Sequence, residues 1–213
     1  MYRSFIKRLF DIIFSLLVLP FVLIEVLLLA PVIYLTDRGP LFYNAERLGK
    51  DGKVFTMYKL RSMKVNSPNL KNADGSTYNA EDDPRVTKIG RIMRKLSLDE
   101  LPQFLNVLKG EMSIIGPRAH LTTNYKGYEL LDDAHKKRIT VRPGITGYNQ
   151  AYYRNSVSSE QKIINDNFYV DNLTFALDVK IVFATIFSVL QRKNIYVGEA
   201  SKQAVETVNE GSK

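Results

Sequence analysis

Residues 12–34, IIFSLLVLPFVLIEVLLLAPVIY, decide the fold. Only Ser15 and Glu25 interrupt an apolar run in which 17 of 23 residues are Leu, Ile, Val or Phe. As a helix the segment reaches about 34 Å, against about 30 Å of bilayer hydrocarbon. The aliphatic and Phe side chains favour insertion by about 5–10 kcal/mol, whereas one central acid opposes it by about 3 kcal/mol, so the segment enters the membrane. It is too long for the apolar part of a cleaved signal peptide, and no small-x-small cleavage site follows.

The flanks decide how it sits. Arg3, Lys7 and Arg8 precede the run and Arg38, Arg47, Lys50 and Lys53 follow it, so the positive-inside rule draws both ends to the cytoplasm. A straight span cannot satisfy both. Pro20 removes a rung of the helix ladder near the middle and is placed to turn the chain back to the face it entered. The sequence therefore predicts a re-entrant helix-break-helix over residues 1–36. A cytosolic domain over 37–198 and a frayed tail over 199–213 complete the expected organisation.

The chain has 213 residues, enough for one domain with a real core, and no cysteine, which excludes a disulfide framework or a thiolate metal site. Thirty Lys and Arg against 22 Asp and Glu give a net charge of +8, pointing to an anionic partner: phosphate groups, nucleic acid or acidic lipid. After the turn cluster Asp37-Arg38-Gly39-Pro40 the pattern is soluble α+β with short elements. A strand is expected over Lys53–Leu60, a loop over 66–83, and a helix opened by Asp83-Pro84. On that helix Val86, Ile89, Met93 and Leu96 fall on one face and Arg85, Lys88, Arg91 and Lys95 on another. A helix over 175–193 is expected to pack on the domain or on the membrane surface.

Within this basic region, KLSLDELPQ (95–103) sets Asp99 beside Glu100. Ser97 and Glu100 have the spacing of a capping box, which would make both structural. Pro102 argues against that register, because proline belongs in a helix's first turn. A helix opening near Leu101 and running through QFLNVLKG leaves Asp99 and Glu100 at its entrance; local evidence alone leaves a structural and a chemical role open. The turns IIGPR (114–118) and VRPGITGYNQ (141–150) place Arg118 and Arg142 where a guanidinium can meet a phosphate. No P-loop, dinucleotide fingerprint, nucleophile elbow or zinc-spaced histidine pair is present. Phosphoryl transfer, with a carboxylate as nucleophile or metal ligand, is the chemistry left.

KRLFD (7–11), MYKLRSM (57–63), DPRVTKIGRIMRKLSLDELPQFLNVLKGEMSIIGPR (83–118) and RPGITG (142–147) together resemble the bacterial monotopic phosphoglycosyl transferases. The resemblance runs in order from Lys7 to about Lys193 and is most specific from Asp83 to Arg118. It implies a re-entrant membrane helix and a compact, mostly helical cytosolic catalytic domain with a few short strands and amphipathic interfacial helices. It further implies transfer of a phosphosugar from a UDP-sugar to polyprenol (undecaprenyl) phosphate, with release of UMP, at the cytoplasmic face of the bacterial plasma membrane. In that family the aspartate of the Asp-Glu pair carries the phosphosugar. By position Asp99 is the nucleophile and an Mg2+ contact, and Glu100 its partner as base or metal support. Lys59, Arg94 and Arg118 match positions expected to hold the nucleotide-sugar phosphates, with Arg61, Arg91, Arg142 and Gln150 as further binding candidates. Acidic lipid headgroups are expected at the basic surface, nucleic acid is not, and a homodimer is left open. The family's helix-breaking proline usually follows a serine about one turn beyond Pro20. The rival reading, a non-enzymatic membrane-anchored basic protein binding acidic lipid or nucleic acid, leaves Asp99-Glu100 unexplained.

Overall fold

The computed structural model describes residues 1–68, 70, 78, 80–122, 127–154 and 156–191. Half of the loop expected over 66–83 lies outside them, and the tail over 199–213 wholly so. A π-helical turn, Tyr2–Ile6, leads into α1, Lys7–Asp37. It is followed by the hairpin β1 (Ala45–Leu48) and β2 (Val54–Met57), then α2 (Lys88–Leu96), α3 (Gln103–Lys109), β3 (Ser113–Ile115) and β4 (His120–Leu121). α4 (Asp133–Arg138), β5 (Gly144–Thr146), α5 (Tyr148–Tyr152), α6 (Ser159–Asp171) and α7 (Phe175–Leu190) complete the described chain. The order β2-β1-β4 forms an antiparallel sheet, and β3 pairs in parallel with β5. The class is α+β, as expected.

α1 is one continuous helix, and this corrects the expected break at Pro20. Both Pro20 and Pro31 lie inside it. Each removes one rung, but Val26, Leu29 and the buried Ile33 pack on Leu60 and Met93 of the domain, and Val22 is buried as well. The packing on one side of the helix carries it through. Its other side is apolar and exposed, as at Leu16, Leu17, Phe21, Leu27 and Leu28. The helix is long and apolar enough to cross a membrane.

Polar contacts tie both ends of α1 to the same domain. Near the start, Lys7 Nζ lies 2.7 Å from Asp178 Oδ2 of α7, which also accepts from the Tyr2 hydroxyl at 2.6 Å. Asp11 Oδ1 accepts from Ser113 Oγ and Ile114 N of β3, and Arg8 donates to the carbonyls of Val107 and Leu108 at the end of α3. At the far end, Asp37 pairs with Arg61 at 2.7 Å and accepts from Val65 N. Lys7, Asp11, Ser15, Val22 and Ile33 are the buried residues of the helix. Their spacing of three to four residues or its multiples draws a single stripe.

Asp83-Pro84 does not open a helix. Asp83 is fully buried and accepts from both the backbone N and the guanidinium of Arg85, closing a local turn. α2 begins at Lys88, capped by Thr87, whose Oγ1 accepts from Gly90 N. The side-chain bond within Asp83–Arg85 competes with helix at that point, as short acids do. Arg85 is thereby withdrawn from the expected basic face.

The two Gly-Pro turns of the sequence meet backbone to backbone. Gly116 N donates to Thr146 O and Gly144 N to Pro117 O, both at 2.9 Å. A Cβ on Gly144 or on Gly147 would collide with the Gly116 main chain. β3 and β5 are thus locked together below Arg118, packed on a core of Ile115, Ala151, Tyr169 and Ile181.

Breaking the ion pair that docks α1 should be costly in a specific way. Asp178→Ala strands the buried Lys7 ammonium and is expected to destabilise the protein by about 3–5 kcal/mol, whereas Lys7→Met with Asp178→Leu recovers most of that loss. Thermal unfolding in detergent micelles checks it; a double variant no more stable than Asp178→Ala would show that the unpaired charge is not the cause.

Candidate active site

Asp99 and Glu100 occupy a 3-10 turn, Leu98–Glu100, between α2 and α3. Ser97 is in the left-handed region (φ 58) and makes no side-chain cap, so the capping box is not formed. The left-handed residue ends α2, and the 3-10 turn swings the two acids toward β2. Pro102 then stands at the N-cap of α3. Asp99 O accepts from Leu60 N, which fixes the turn against the strand end that carries Lys59.

Lys59 stands between the two acids. Its Nζ lies 2.8 Å from Asp99 Oδ2 and 3.1 Å from Glu100 Oε1. Glu100 Oε1 also accepts from Arg118 Nη2 at 2.8 Å. Asp99 is almost fully buried, with 2% exposed. Burial opposes ionisation of Glu100, but Arg118 and then Lys59 outweigh it and hold its carboxyl well below the usual range. Burial likewise opposes the charge on Lys59, and Glu100 and Asp99 overcome it, so its pKa is raised. Glu100 thereby holds both Lys59 and Arg118 at the mouth of the group.

The group faces a cavity of about 1000 Å³. Its polar end is lined by Arg47, Lys59, Arg94, Asp99, Glu100, Gln103, Arg118 and Gln150. Its apolar part is lined by Phe10 and Phe14 of α1, Phe104 of α3, and Phe175, Val182 and Ile186 of α7. Most buried polar atoms in proteins have partners, yet Gln103 Nε2 and both amide atoms of Gln150 are buried here without one. Such atoms on a cavity wall are donors and acceptors held ready for a ligand. Among the described residues no group of three or more His, Cys, Asp or Glu could hold a metal.

Of the expected site residues, Lys59, Arg94, Asp99, Glu100, Arg118 and Gln150 line the cavity together. Arg94 donates from Nε to Ser62 Oγ at 2.9 Å. Arg61 is not among them. It is buried and donates to Asp37 and to the carbonyls of Pro40, Met63 and Ile33, closing the end of α1. Arg142 is outside the lining too, donating from Nε to Gly110 O at 2.7 Å. Arg91 is exposed on α2 with Lys88, beside exposed Ile92 and Leu96.

Several residues at the site were not singled out by sequence. Gln103 is 2% exposed and follows the Asp-Glu-Leu-Pro run directly, a position that could have been noticed. Arg138 is buried, donates to Asp166 and to Arg118 O, and so fixes the chain behind Arg118. Glu25 of α1, outside the cavity lining, has both carboxyl oxygens buried without a hydrogen-bond partner. The lone acid in the apolar run was its signal.

The sequence profile of the family described as "Bacterial sugar transferase" matches residues 2–192. The chain belongs to that family. It is similar to the "Uncharacterized sugar transferase EpsL" of Bacillus subtilis (strain 168), 40% identical over 89% of this chain and 90% of the relative. It is also similar to the "UDP-glucose:undecaprenyl-phosphate glucose-1-phosphate transferase" of Klebsiella pneumoniae, 38% identical over 89% of this chain but 41% of that protein. The "Exopolysaccharide production protein ExoY" of Sinorhizobium fredii (strain NBRC 101917 / NGR234) is 37% identical over 89% of this chain and 88% of its own length. The chain thus spans nearly the whole of some relatives and less than half of others.

The charge on Glu100 has a consequence for stability. Because it ionises more readily folded than at the unfolded value of about 4.3, its contribution is complete above that value and is lost as pH falls toward the lower folded pKa. Glu100→Gln should therefore lower the thermal midpoint by a constant amount between about pH 6 and pH 8, with the gap closing below about pH 4. Melting curves of both proteins across that range test it; a gap that widened in acid would contradict the ion-pair geometry.

Proposed function

We propose that the protein is a sugar-1-phosphate transferase that moves a phosphosugar from a UDP-sugar to undecaprenyl phosphate, releasing UMP, through a phosphosugar carried on Asp99. The observation that carries this reading is the cavity itself. It joins a buried carboxylate and a cluster of cations to apolar side chains of α1 and α7, among them Phe10, Phe14, Phe175 and Val182. A soluble anionic donor fits the polar end. A lipid phosphate, with a charged head and an apolar chain, fits the whole.

Asp99 lies 2.8 Å from the Lys59 ammonium in a turn held by the Leu60 N to Asp99 O hydrogen bond, a setting that suits a carboxylate nucleophile. Its oxygen attacks the β-phosphorus of the donor, and the bond to UMP breaks. Lys59, Arg94 and Arg118 hold the phosphates and offset the developing charge, the usual means of assisting phosphoryl transfer. Gln103 and Gln150 supply neutral hydrogen bonds to the donor. The phosphate of undecaprenyl phosphate then displaces Asp99 and leaves with the phosphosugar as a diphosphate. Arg118 and Lys59 are released from Glu100 as the ligand's oxygens replace its carboxylate.

The adjacent carboxylates of Asp99 and Glu100 fit Mg2+, which takes hard oxygen donors, and Asp99 Oδ2 lacks a hydrogen-bond donor despite its ion pair. Two carboxylates leave the remaining positions to water and the diphosphate, the usual arrangement for this ion. Bound there, Mg2+ would neutralise charge on the diphosphate.

The docking of α1 supports an assignment to one face of the membrane. Lys7 and Asp37, at opposite ends of the helix, both pair with the same domain, so its two ends lie on one side of the bilayer. In a bacterium that side is the cytoplasmic face, where the UDP-sugar is made and the flanking cations belong. The helix is then a monotopic element whose exposed face enters the lipid. Arg91 and Lys88 face acidic headgroups rather than the donor.

Protein held in nanodiscs with Mg2+, a panel of UDP-sugars and undecaprenyl phosphate should release UMP in a lipid-dependent manner with one or two donors. Asp99→Asn should lower that release by at least about 10³-fold with the melting transition retained. Undiminished UMP release by this variant would remove Asp99 from the nucleophile's role.

A further inference from the structure

β1 is the central strand of its sheet. On one side β2 ends two residues before Lys59, and on the other β4 begins two residues after Arg118. Arg47 lies on β1 between them, opposite Phe55 of β2 and Leu121 of β4. Side chains of directly opposed residues share a face, so Arg47 stands with the buried Phe55 and Met57 and not with the exposed Val54 and Thr56. It is half-buried there and lines the cavity with Met57, Lys59, Asp99, Arg118 and Leu121.

A cation on the inward face of a sheet needs a partner. Arg61, Arg85, Arg118 and Arg138 each meet a carboxylate. Arg47 has only a donation from Nη1 to Glu46 O at 3.2 Å, and among the described residues it pairs with no acid. Burial, and then the charge of Arg118, lower its pKa. Two guanidiniums are thus kept on one wall of the cavity with Glu100 already bound to one of them, a setting that a phosphate dianion satisfies better than water does.

The chemistry says which phosphate. In phosphoryl transfer the attacking and leaving oxygens lie roughly in line on opposite sides of phosphorus. Asp99 attacks in the first half of the reaction and leaves in the second, so the oxygen opposite it belongs first to the departing UMP and then to the arriving lipid phosphate. Both oxygens therefore pass through one place. Lys59 lies against Asp99 itself and serves the near side; the acid that Arg118 meets is Glu100, and Arg47 meets none.

We propose that Arg47 and Arg118 form a single phosphate subsite used twice, holding the α-phosphate of the UDP-sugar as UMP departs and then the phosphate of undecaprenyl phosphate as it attacks. This rests on the reading of Asp99 as the carrier. In the first half the bond from Asp99 oxygen to the β-phosphorus forms and the bond to UMP breaks, its electron pair leaving on the UMP phosphate. In the second half an oxygen of the lipid phosphate forms the P–O–P bond and the bond to Asp99 breaks, its electron pair returning to the carboxylate. UMP has to vacate the subsite before the lipid phosphate can occupy it.

The two half-reactions are timed separately. Protein in nanodiscs with Mg2+ is given the UDP-sugar that supports UMP release, without lipid acceptor, and growth of the adduct is followed by intact mass. Donor and UMP are washed out, undecaprenyl phosphate is added, and loss of the adduct is followed. At limiting substrate Arg47→Gln is expected to slow both phases by about 10–100-fold, and Arg47→Lys, which keeps the charge but not the fork, to fall between it and the unaltered protein. Slowed loading with unaltered discharge confines Arg47 to the nucleotide and overturns the shared subsite. Slowed discharge with unaltered loading confines it to the lipid and overturns the subsite equally. Two unaltered rates remove Arg47 from the reaction. Should Arg47→Gln lose its melting transition, the same comparison is read from Arg47→Lys. If the unaltered protein forms no adduct at all, the carrier role of Asp99 is what fails, and the proposal falls with it.

Discussion

The fold depends on a membrane helix being fastened to one domain at both of its ends. Lys7 with Asp178, and Asp37 with Arg61, are separated by almost the full length of α1 and belong to different parts of the domain. Charges withdrawn from water are stabilising only when paired with good geometry, and here Tyr2 and Tyr169 add hydroxyl donors to Asp178. The apolar stripe between the two clamps could by itself slide or detach, since the rest of the helix is as apolar as lipid. The clamps set register, and register sets which side chains of α1 meet the site.

The same economy appears at Lys59. One ammonium pairs with both acids, and one of those acids holds Arg118. Two cations thus stand against two carboxylates, which keeps adjacent like charges from forcing the turn apart. Arg138, itself held by Asp166, fixes the backbone behind Arg118.

Much of this was legible in the sequence where the signal is local. The apolar run, the strand around Val54–Met57, the helix entrance after Asp99-Glu100 and α7 follow from periodicity and proline placement. The runs at 57–63 and from Asp83 to Arg118 brought Lys59, Arg94, Asp99, Glu100 and Arg118 into one expectation, and the structure collects them. Most of the misses involve partners distant in sequence. Arg61 and Arg142 are as basic as Arg118, but Asp37 and the Gly110 carbonyl claim them, and no local pattern announces that. Asp83-Pro84 has the form of a helix start, and the Arg85 guanidinium overrides it. Glu25 was legible only as a penalty on insertion, because its orientation toward the domain depends on the docking of α1.

The pairing of Lys7 with Asp178 also dictates an order of events at the ribosome. The two residues are 171 positions apart, so at 5–20 residues per second roughly 9–34 s of synthesis separate them. For most of that interval α1 is complete while the partner of Lys7 does not yet exist. The bilayer surface is the only surroundings that can shelter its apolar face, with Lys7 and Asp11 left among the headgroups. The lipid interface thus acts first as a scaffold for the nascent chain, and the domain assembles onto a helix already lying in place.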